Sequence, residues 1–282
     1  MIYDKLSPIQ KNTQGVTLKS TYEDINQCYT SEYCEILESA YGAGMLSEGG
    51  GEAIDRLFHH VDLNGKNLCD IGCGLGGVDF YLIKKHNCRI KAMEINHELV
   101  NTARRRLSNQ SCLGKIEFLH YHPPLLPIET ATIDIVFSKG VLVHESNKAP
   151  LFNEIFRILK PQGQLMIDDW LSPSSEKWCT EIKELCETEG LYLHPETEES
   201  YFDHLKKTGF TDIGFHDINS EYATYNLNVV EHLEKREIAN SFIEKYGTES
   251  YEESLRGYSS IASAIKKNTL LIRKITALKD TD

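Results

Sequence analysis

The sequence is short of several things, and each shortage excludes something. No run of apolar residues approaches the ~18 needed to cross a bilayer as a helix. The stretch Met1-Ile2-Tyr3-Asp4-Lys5 is not a basic start followed by an apolar core, so no signal peptide is expected. Positive charge is scarce: 30 Lys and Arg stand against 42 Asp and Glu, a formal net charge of −12 over 282 residues. That argues against a nucleic-acid backbone as main partner, because phosphate contacts need clustered Lys and Arg. An acidic surface does tolerate or attract a small cationic substrate. Eight cysteines are present (Cys28, Cys34, Cys69, Cys73, Cys88, Cys112, Cys179 and Cys186), but none forms a C-x-x-C pair and no zinc pattern is completed. They read as free thiols in a reducing compartment, so a cytoplasmic protein without a metal is expected. There is no internal repeat and no low-complexity segment.

What is there is organised around Asn67-Leu68-Cys69-Asp70-Ile71-Gly72-Cys73-Gly74-Leu75-Gly76-Gly77. An apolar run ends in an acid and breaks into a glycine-rich turn, and Val78 to Lys85 follows with a helix-compatible pattern. Glycine permits positive φ and close approach to bare backbone, and a helix start aims amide N–H groups at whatever fills the loop. The stretch predicts a cradle for a nucleotide-like ligand.

The pattern around it predicts alternating strands and helices from Gly65 onward. Strands are expected at 67–71, 89–95, 115–120, 133–138 and 164–168, with helices at 78–86, 96–107 and 146–159, Asn96 acting as an N-cap and Lys160-Pro161-Gln162-Gly163 stopping the last helix. Such alternation implies a parallel sheet with helices on both faces. Before it, residues 1–20 are turn-rich and read as a loose arm, and helices are expected within 22–41 and at 52–60. After Asp169 the rhythm changes. Helices are expected at 175–189, from Pro195, at 226–246 and at 250–267, with strands at 211–218 and 269–275. Glu196, Glu198 and Glu199 read as a first helical turn complementing the helix dipole and not as a metal site. The predicted organisation is an arm over 1–20, a helical lid over 21–64, and one α/β domain over 65–282 with cap insertions at about 170–210 and 222–267.

Two ligand classes compete for the loop. It can be spaced as the G-x-G-x-x-G of a dinucleotide site, Gly72-x-Gly74-x-x-Gly77. Asp70, however, would face a pyrophosphate with a like charge and suits a cationic or amino-acid ligand better. Glu94, ending the second strand, can accept both hydroxyls of a ribose.

The combination D-I-G-C-G-L-G-G, then Glu94, then L-K-P-Q-G before the fifth strand resembles the class I S-adenosylmethionine-dependent methyltransferases. That resemblance implies a seven-stranded Rossmann-like sheet whose last strand is antiparallel, with S-adenosylmethionine as cofactor. Y-T-S-E, M-L-S-E-G-G and V-L-V-H-E extend it to the phosphoethanolamine N-methyltransferase group. The resemblance implies cofactor contacts from Tyr29, Leu46, Ser47, Asp70, Gly72, Cys73, Gly74, Gly76, Glu94, Ile95, His122 and Lys139, with Ile95 on the adenine. It also implies that Tyr29 and His144 form a latching, catalytic pair, and that Gly140 lies toward the substrate. The departures concern the acceptor. Gly140 stands where that group has an aspartate, Leu185, Glu189 and Leu191 stand where it grips a phosphate, and His122 stands where most methyltransferases place an acid.

Read on its own residues, His144 is either functional, at the carboxyl edge of the sheet where ligands bind, or a cap on the following helix. Asp169 is either a sheet-end turn or a substrate contact, and Trp170 offers an aromatic face to a cationic amine. His120 and His122 invite a metal, but no acid or cysteine at suitable spacing completes a site. The expected function is methyl transfer to a small molecule, at an amine nitrogen. The alternatives are a non-catalytic S-adenosylmethionine-binding protein and an NAD-dependent oxidoreductase.

Overall fold

A computed structural model describes residues 26–108, 114–174, 178–189, 191–194 and 196–280. The predicted arm, residues 22–25 of the first helix, the 175–177 start of the helix after the fifth strand, Pro195 and Cys112 lie outside the described residues.

Seven strands form one sheet in the order β3-β2-β1-β4-β5-β7-β6. They are β1 (Asn67–Ile71), β2 (Arg89–Glu94), β3 (Ile116–His120), β4 (Ile133–Lys139), β5 (Leu159–Leu171), β6 (Phe210–Asp217) and β7 (Leu271–Lys279). β1 to β5 pair in parallel, and β7 inserts antiparallel between β5 and β6. Parallel strands with both faces covered need near-continuous apolar sequence. β1 and β4 supply it: Leu68, Cys69, Ile71, Val136 and Phe137 are fully buried. The parallel pairing places the carboxyl ends of β1, β2 and β4 side by side, through Ile71↔Met93 and Asp70↔Phe137.

The helices are α1 (Ser31–Tyr41), α2 (Gly50–Leu57), α3 (Gly77–Lys85), α4 (His97–Ser108), α5 (Lys148–Ile158), α6 (Thr180–Glu189), α7 (Glu198–Thr208), α8 (Asn219–Leu233), α9 (Arg236–Tyr246) and α10 (Thr248–Lys266). One face of the sheet carries α2, α3 and α4 on a core including Ile54, Phe80 and Val100. The other carries α5 and α7 through Phe152, Ile155 and Tyr201. A third core lies above the carboxyl edge, where Leu37 and Tyr41 of α1 meet Ile182 and Leu185 of α6 and Tyr258 and Ile261 of α10. None of the described helices is long and apolar enough to cross a membrane.

Two expectations about elements need correction. The helix expected over 226–246 is two helices, α8 and α9, separated where Lys235 turns extended at ψ 127. No Gly or Pro marks the break. It is made by tertiary packing, in which Phe242 turns against Tyr246 and Tyr251. The segment Lys160-Pro161-Gln162-Gly163 does end α5, but it is already strand: β5 begins at Leu159, paired with Ile133. The register shifts between Ile133 and Ile135, and Gln162 takes φ 61, so the proline sits at an irregularity where it removes no regular ladder bond.

The acids near α7 act within the fold. Thr197 caps α7 by accepting from Ser200 N, Glu196 pairs with Lys148 and His204, and Glu198 pairs with Arg273.

Candidate functional site

The glycine loop leaves β1 and folds back on β2: the N–H groups of Gly72 and Cys73 both donate to the carbonyl of Met93, at 2.8 and 3.0 Å. Gly72 has φ 82, and a Cβ there would sit 2.4 Å from Val141, so only glycine fits. Gly77 opens α3 in backbone contact with Gly44, to whose carbonyl its N–H donates at 3.1 Å. A side chain on either would force the 42–49 turn away from the loop. Glu38 holds the same turn by accepting from Gly44 N while pairing with Arg106 of α4.

Glu94 ends β2 as a buried carboxylate. One oxygen accepts from Gly74 N at 2.9 Å and the other from Asn96 N at 2.9 Å. Asn96 also caps α4, its side-chain oxygen accepting from Glu98 N and Leu99 N. Each carboxylate oxygen has a second lone pair, so Glu94 retains capacity for two hydroxyl donors. Burial pushes Glu94 above the usual carboxylate range against the pull of these backbone donors. Asp70, 2% exposed, is pushed well above it by burial and then by Asp79 and Glu94, with Lys139 opposing. Asp79 is buried in α3, and neither of its oxygens meets a donor from another residue. Burial raises it too. Three carboxyls crowded under one loop are raised by burial for want of an offsetting cation beside them, and a ligand with a cationic end would relieve that where a pyrophosphate would add to it.

A cavity opens over this floor. Its lining includes Tyr29, Leu46, Ser47, Asp70, Gly72, Cys73, Gly74, Glu94, Ile95, Lys139 and Gly140. A second cavity adjoins it beneath α1, α6 and α10, and Tyr29, Leu46, Ser47, Gly140 and His144 line both.

Tyr29 and His144 come together across the junction: the tyrosine hydroxyl lies 3.2 Å from His144 Nε2. On the other side of the ring, Nδ1 lies 3.0 Å from the carbonyl of Tyr192. A carbonyl only accepts, so Nδ1 carries the proton, and Nε2 accepts from Tyr29. Burial lowers His144 to about 4, leaving it neutral over the physiological range. His144 ends a 3-10 turn (Leu142–His144) and does not cap α5, whose N-cap is Asn147.

Other expected residues are placed differently. Lys139 ends β4, and its ammonium donates to Ser47 Oγ at 2.9 Å and to the carbonyl of Glu48. It ties the 46–48 turn to the sheet, and burial lowers it. Gly76 lines neither cavity. It caps α3 at φ 81, where a Cβ would strike Phe118. His122 is exposed, lines neither cavity and meets the ring of His120 edge to face, while its neighbours Tyr121 and Pro123 do line the first. Asp169 points into the core, accepting from Tyr201 OH at 2.8 Å and Trp170 N at 2.9 Å, and burial raises it to about 7. Its neighbour Trp170 faces the second cavity, because successive strand residues point to opposite faces. Leu185 and Leu191 also line that cavity, and the side chain of Glu189 lies outside the described residues. Sequence reasoning missed Glu48, Tyr33, Tyr41 and Tyr258, which converge on the second cavity from the 46–48 turn, α1 and α10. Only the position of Glu48, inside the M-L-S-E-G-G stretch, offered a signal.

Comparison with known proteins agrees with this architecture. A family profile described as "Methyltransferase domain" matches residues 69–167. The phosphoethanolamine N-methyltransferase of Plasmodium falciparum is 31% identical over 238 residues, covering 82% of this chain and 87% of that protein. Phosphoethanolamine N-methyltransferase 1 of Arabidopsis thaliana is 27% identical over 225 residues, and the chain spans only 44% of its length. Among solved structures, Haemonchus contortus phosphoethanolamine N-methyltransferase 2, in complex with phosphomonomethylethanolamine and S-adenosylhomocysteine, superposes with a TM-score of 0.81 at 21% identity, over 93% of this chain and 61% of that one. A cyclopropane synthase of Mycobacterium tuberculosis shares the fold at a TM-score of 0.75 and 17% identity, covering 94% of this chain and 100% of that one. Strand order, glycine loop, terminal acids and the Plasmodium relative together identify the chain as a member of the class I S-adenosylmethionine-dependent methyltransferases, related to the phosphoethanolamine N-methyltransferases.

Proposed function

We propose that the chain transfers a methyl group from S-adenosylmethionine to the nitrogen of a small amine. The observation that carries this reading is the pairing of an acid-floored glycine loop with a neutral His144 held by Tyr29 at the junction of two cavities. The donor set suits the cofactor. Glu94 has lone pairs for ribose hydroxyls, Asp70 has carboxyl oxygens that can accept from a cationic amino-acid end, and Ile95 and Leu99 offer apolar surface to a base. When bound, the cofactor supplies a methyl on an activated sulfur: the nitrogen lone pair forms the new N–C bond as the C–S bond breaks and its electron pair returns to sulfur.

The chain's own residues then have two tasks. One is to position the acceptor and exclude water. Tyr29, directly before α1, bonds to His144 on the sheet edge, so closing the N-terminal helices as a lid and assembling the site become one event. The other is to keep the attacking nitrogen unprotonated. His144 stays neutral at working pH, and its accepting Nε2 is the nitrogen that holds Tyr29, so a proton leaving the amine would reach it through the Tyr29 hydroxyl.

The test is isothermal titration with S-adenosylhomocysteine, followed by transfer of labelled methyl to a panel of small amines. Micromolar binding with turnover is expected. Binding without turnover on any amine would leave a non-catalytic cofactor-binding protein, and failure to bind would remove the reading.

A further inference from the structure

The turn that carries His144 is tied to a strap, residues 191–194, at Val143, His144 and Glu145 in succession. The strap belongs to no helix or strand. His194 N donates to the carbonyl of Val143 at 2.7 Å, and His144 Nδ1 lies 3.0 Å from the carbonyl of Tyr192. The tie at Glu145 runs through a side chain. Lys148, which opens α5, is 1% exposed, and its ammonium donates to the carbonyl of Glu145 at 2.9 Å and to that of His194 at 3.3 Å. Glu196 Oε1 is its counter-ion at 3.3 Å, and the ring of Tyr201 lies 5.6 Å from the ammonium. An ammonium has three N–H donors, and the two carbonyls and the carboxylate take them all. A buried lysine is costly, and an apolar side chain of similar volume fills such a space at least as well. What an apolar side chain lacks is donors for two carbonyls that converge on one point. With methionine at this position the carbonyls of Glu145 and His194 would meet only an apolar chain, and the strap would shift to satisfy them with water. The carbonyl of Tyr192 would shift with it.

Resting on the methyltransferase reading above, we propose that Lys148 is a positioning residue for the transfer: it staples the His144 turn to the strap whose Tyr192 carbonyl keeps the histidine proton on Nδ1. Which ring nitrogen of a histidine carries the proton is set by what the other one meets. While the Tyr192 carbonyl accepts from Nδ1, Nε2 accepts from Tyr29, and the latch over the site runs in one direction. With the strap displaced, the proton moves to Nε2, which then donates to Tyr29 and no longer accepts from it. Lys148 itself lines neither cavity, so it reaches the reaction only through the groups it holds. Glu196 is held independently of it, by His204 at 3.1 Å and by the Ser200 hydroxyl at 2.7 Å, so removing Lys148 does not leave that carboxylate without partners.

The test reads the tautomer of His144 by nitrogen NMR of histidine-labelled protein, its signals being those lost in His144→Ala. In the wild type the proton is expected on Nδ1. Lys148→Met is expected to move part of the population to the Nε2–H form and to cut turnover on the amine panel about tenfold or more, with S-adenosylhomocysteine affinity changed less than about twofold. Lys148→Arg, which keeps a cation with several donors, is expected to restore the Nδ1–H form and part of the turnover. Lys148→Gln is shorter and neutral. Its amide is expected to reach the Glu145 carbonyl without bridging to His194, giving an intermediate tautomer mixture, and it covers the case in which Lys148→Met fails to fold. A wild-type proton on Nε2, an undisturbed Nδ1–H form in Lys148→Met or Lys148→Gln, or a Lys148→Arg indistinguishable from Lys148→Met would each overturn the proposal. Lost turnover with the tautomer intact would make Lys148 a merely structural residue. Failure of the wild type to bind S-adenosylhomocysteine would instead overturn the methyltransferase reading, and with it the catalytic role drawn here, while the NMR comparison would still decide whether Lys148 holds the tautomer.

Discussion

The two adjoining cavities are built by different means. The first is floored by the glycine loop and strand ends, from Asp70 to Asn96, with the loop amides bonded to Met93 and Glu94. The second is made of side chains from α1, the 46–48 turn, β5, α6 and α10. A main-chain site tolerates little change, because its donors are fixed by the sheet and its glycines cannot be exchanged. A side-chain site can be re-lined one residue at a time without disturbing the sheet.

The largest effect should come from the main-chain side. Glu94→Ala removes a carboxylate that holds two backbone donors and, on our reading, two ribose hydroxyls. Hydrogen bonds to charged groups are worth roughly 1.5–3 kcal/mol each, so S-adenosylhomocysteine affinity should fall by about 10²-fold or more, measured by titration calorimetry. A change under fivefold would mean that the floor does not read the ribose.

Next is the junction. His144→Ala should cut turnover by about 10²-fold or more, the scale of an acid–base group, with S-adenosylhomocysteine affinity changed only a few-fold. Because burial holds His144 at about 4, the acid limb it contributes to the pH–rate profile should fall near that value and not near the ordinary histidine value of about 6.5. A limb at the ordinary value would show that the ring is not desolvated as its packing implies.

A smaller effect concerns the charge beneath the loop. Burial raises Asp79 in the folded state, so the native protein keeps a proton that the unfolded chain releases above about pH 4. Stability contributed through this group therefore declines as pH climbs from there toward the raised value. Asp79→Asn should remove that decline. Its melting temperature relative to wild type should rise as pH climbs above about 4, by calorimetry. A gap independent of pH would mean that Asp79 is ionised on both sides of the transition.

The smallest effect should leave both cavities untouched. Thr197→Ala removes the cap on Ser200 N and should cost about 1 kcal/mol in urea unfolding. Affinity for S-adenosylhomocysteine and turnover on the panel of small amines should stay within twofold. If either moved further, α7 would be coupled to a cavity wall and the separation drawn above would fail.

Local chemistry was legible where the sequence is locally consistent. The strand ending at Ile71, the glycine turn, the acid closing β2 and the Asn96 cap were all readable, because each depends on neighbours a few residues away. The antiparallel seventh strand and the Tyr29–His144 contact were legible only through resemblance, since no local pattern links residues so far apart. The α8–α9 break was not legible, because a helix can be ended by packing with no Gly or Pro at the boundary. The direction of the Asp169 and Trp170 side chains was not legible either. Placing both toward a substrate ignored strand alternation, which sends Asp169 to Tyr201 and Trp170 to the cavity.

By itself, then, the sequence determined the main-chain cradle: glycine conformation, strand hydrophobicity and helix caps are local properties, and the sheet assembles them with few alternatives. The acceptor side was decided only by tertiary structure. Glu48, Tyr33, Trp170, Leu185 and Tyr258 share no motif, and they become one cavity because the third core draws α1, α6 and α10 together over the carboxyl edge.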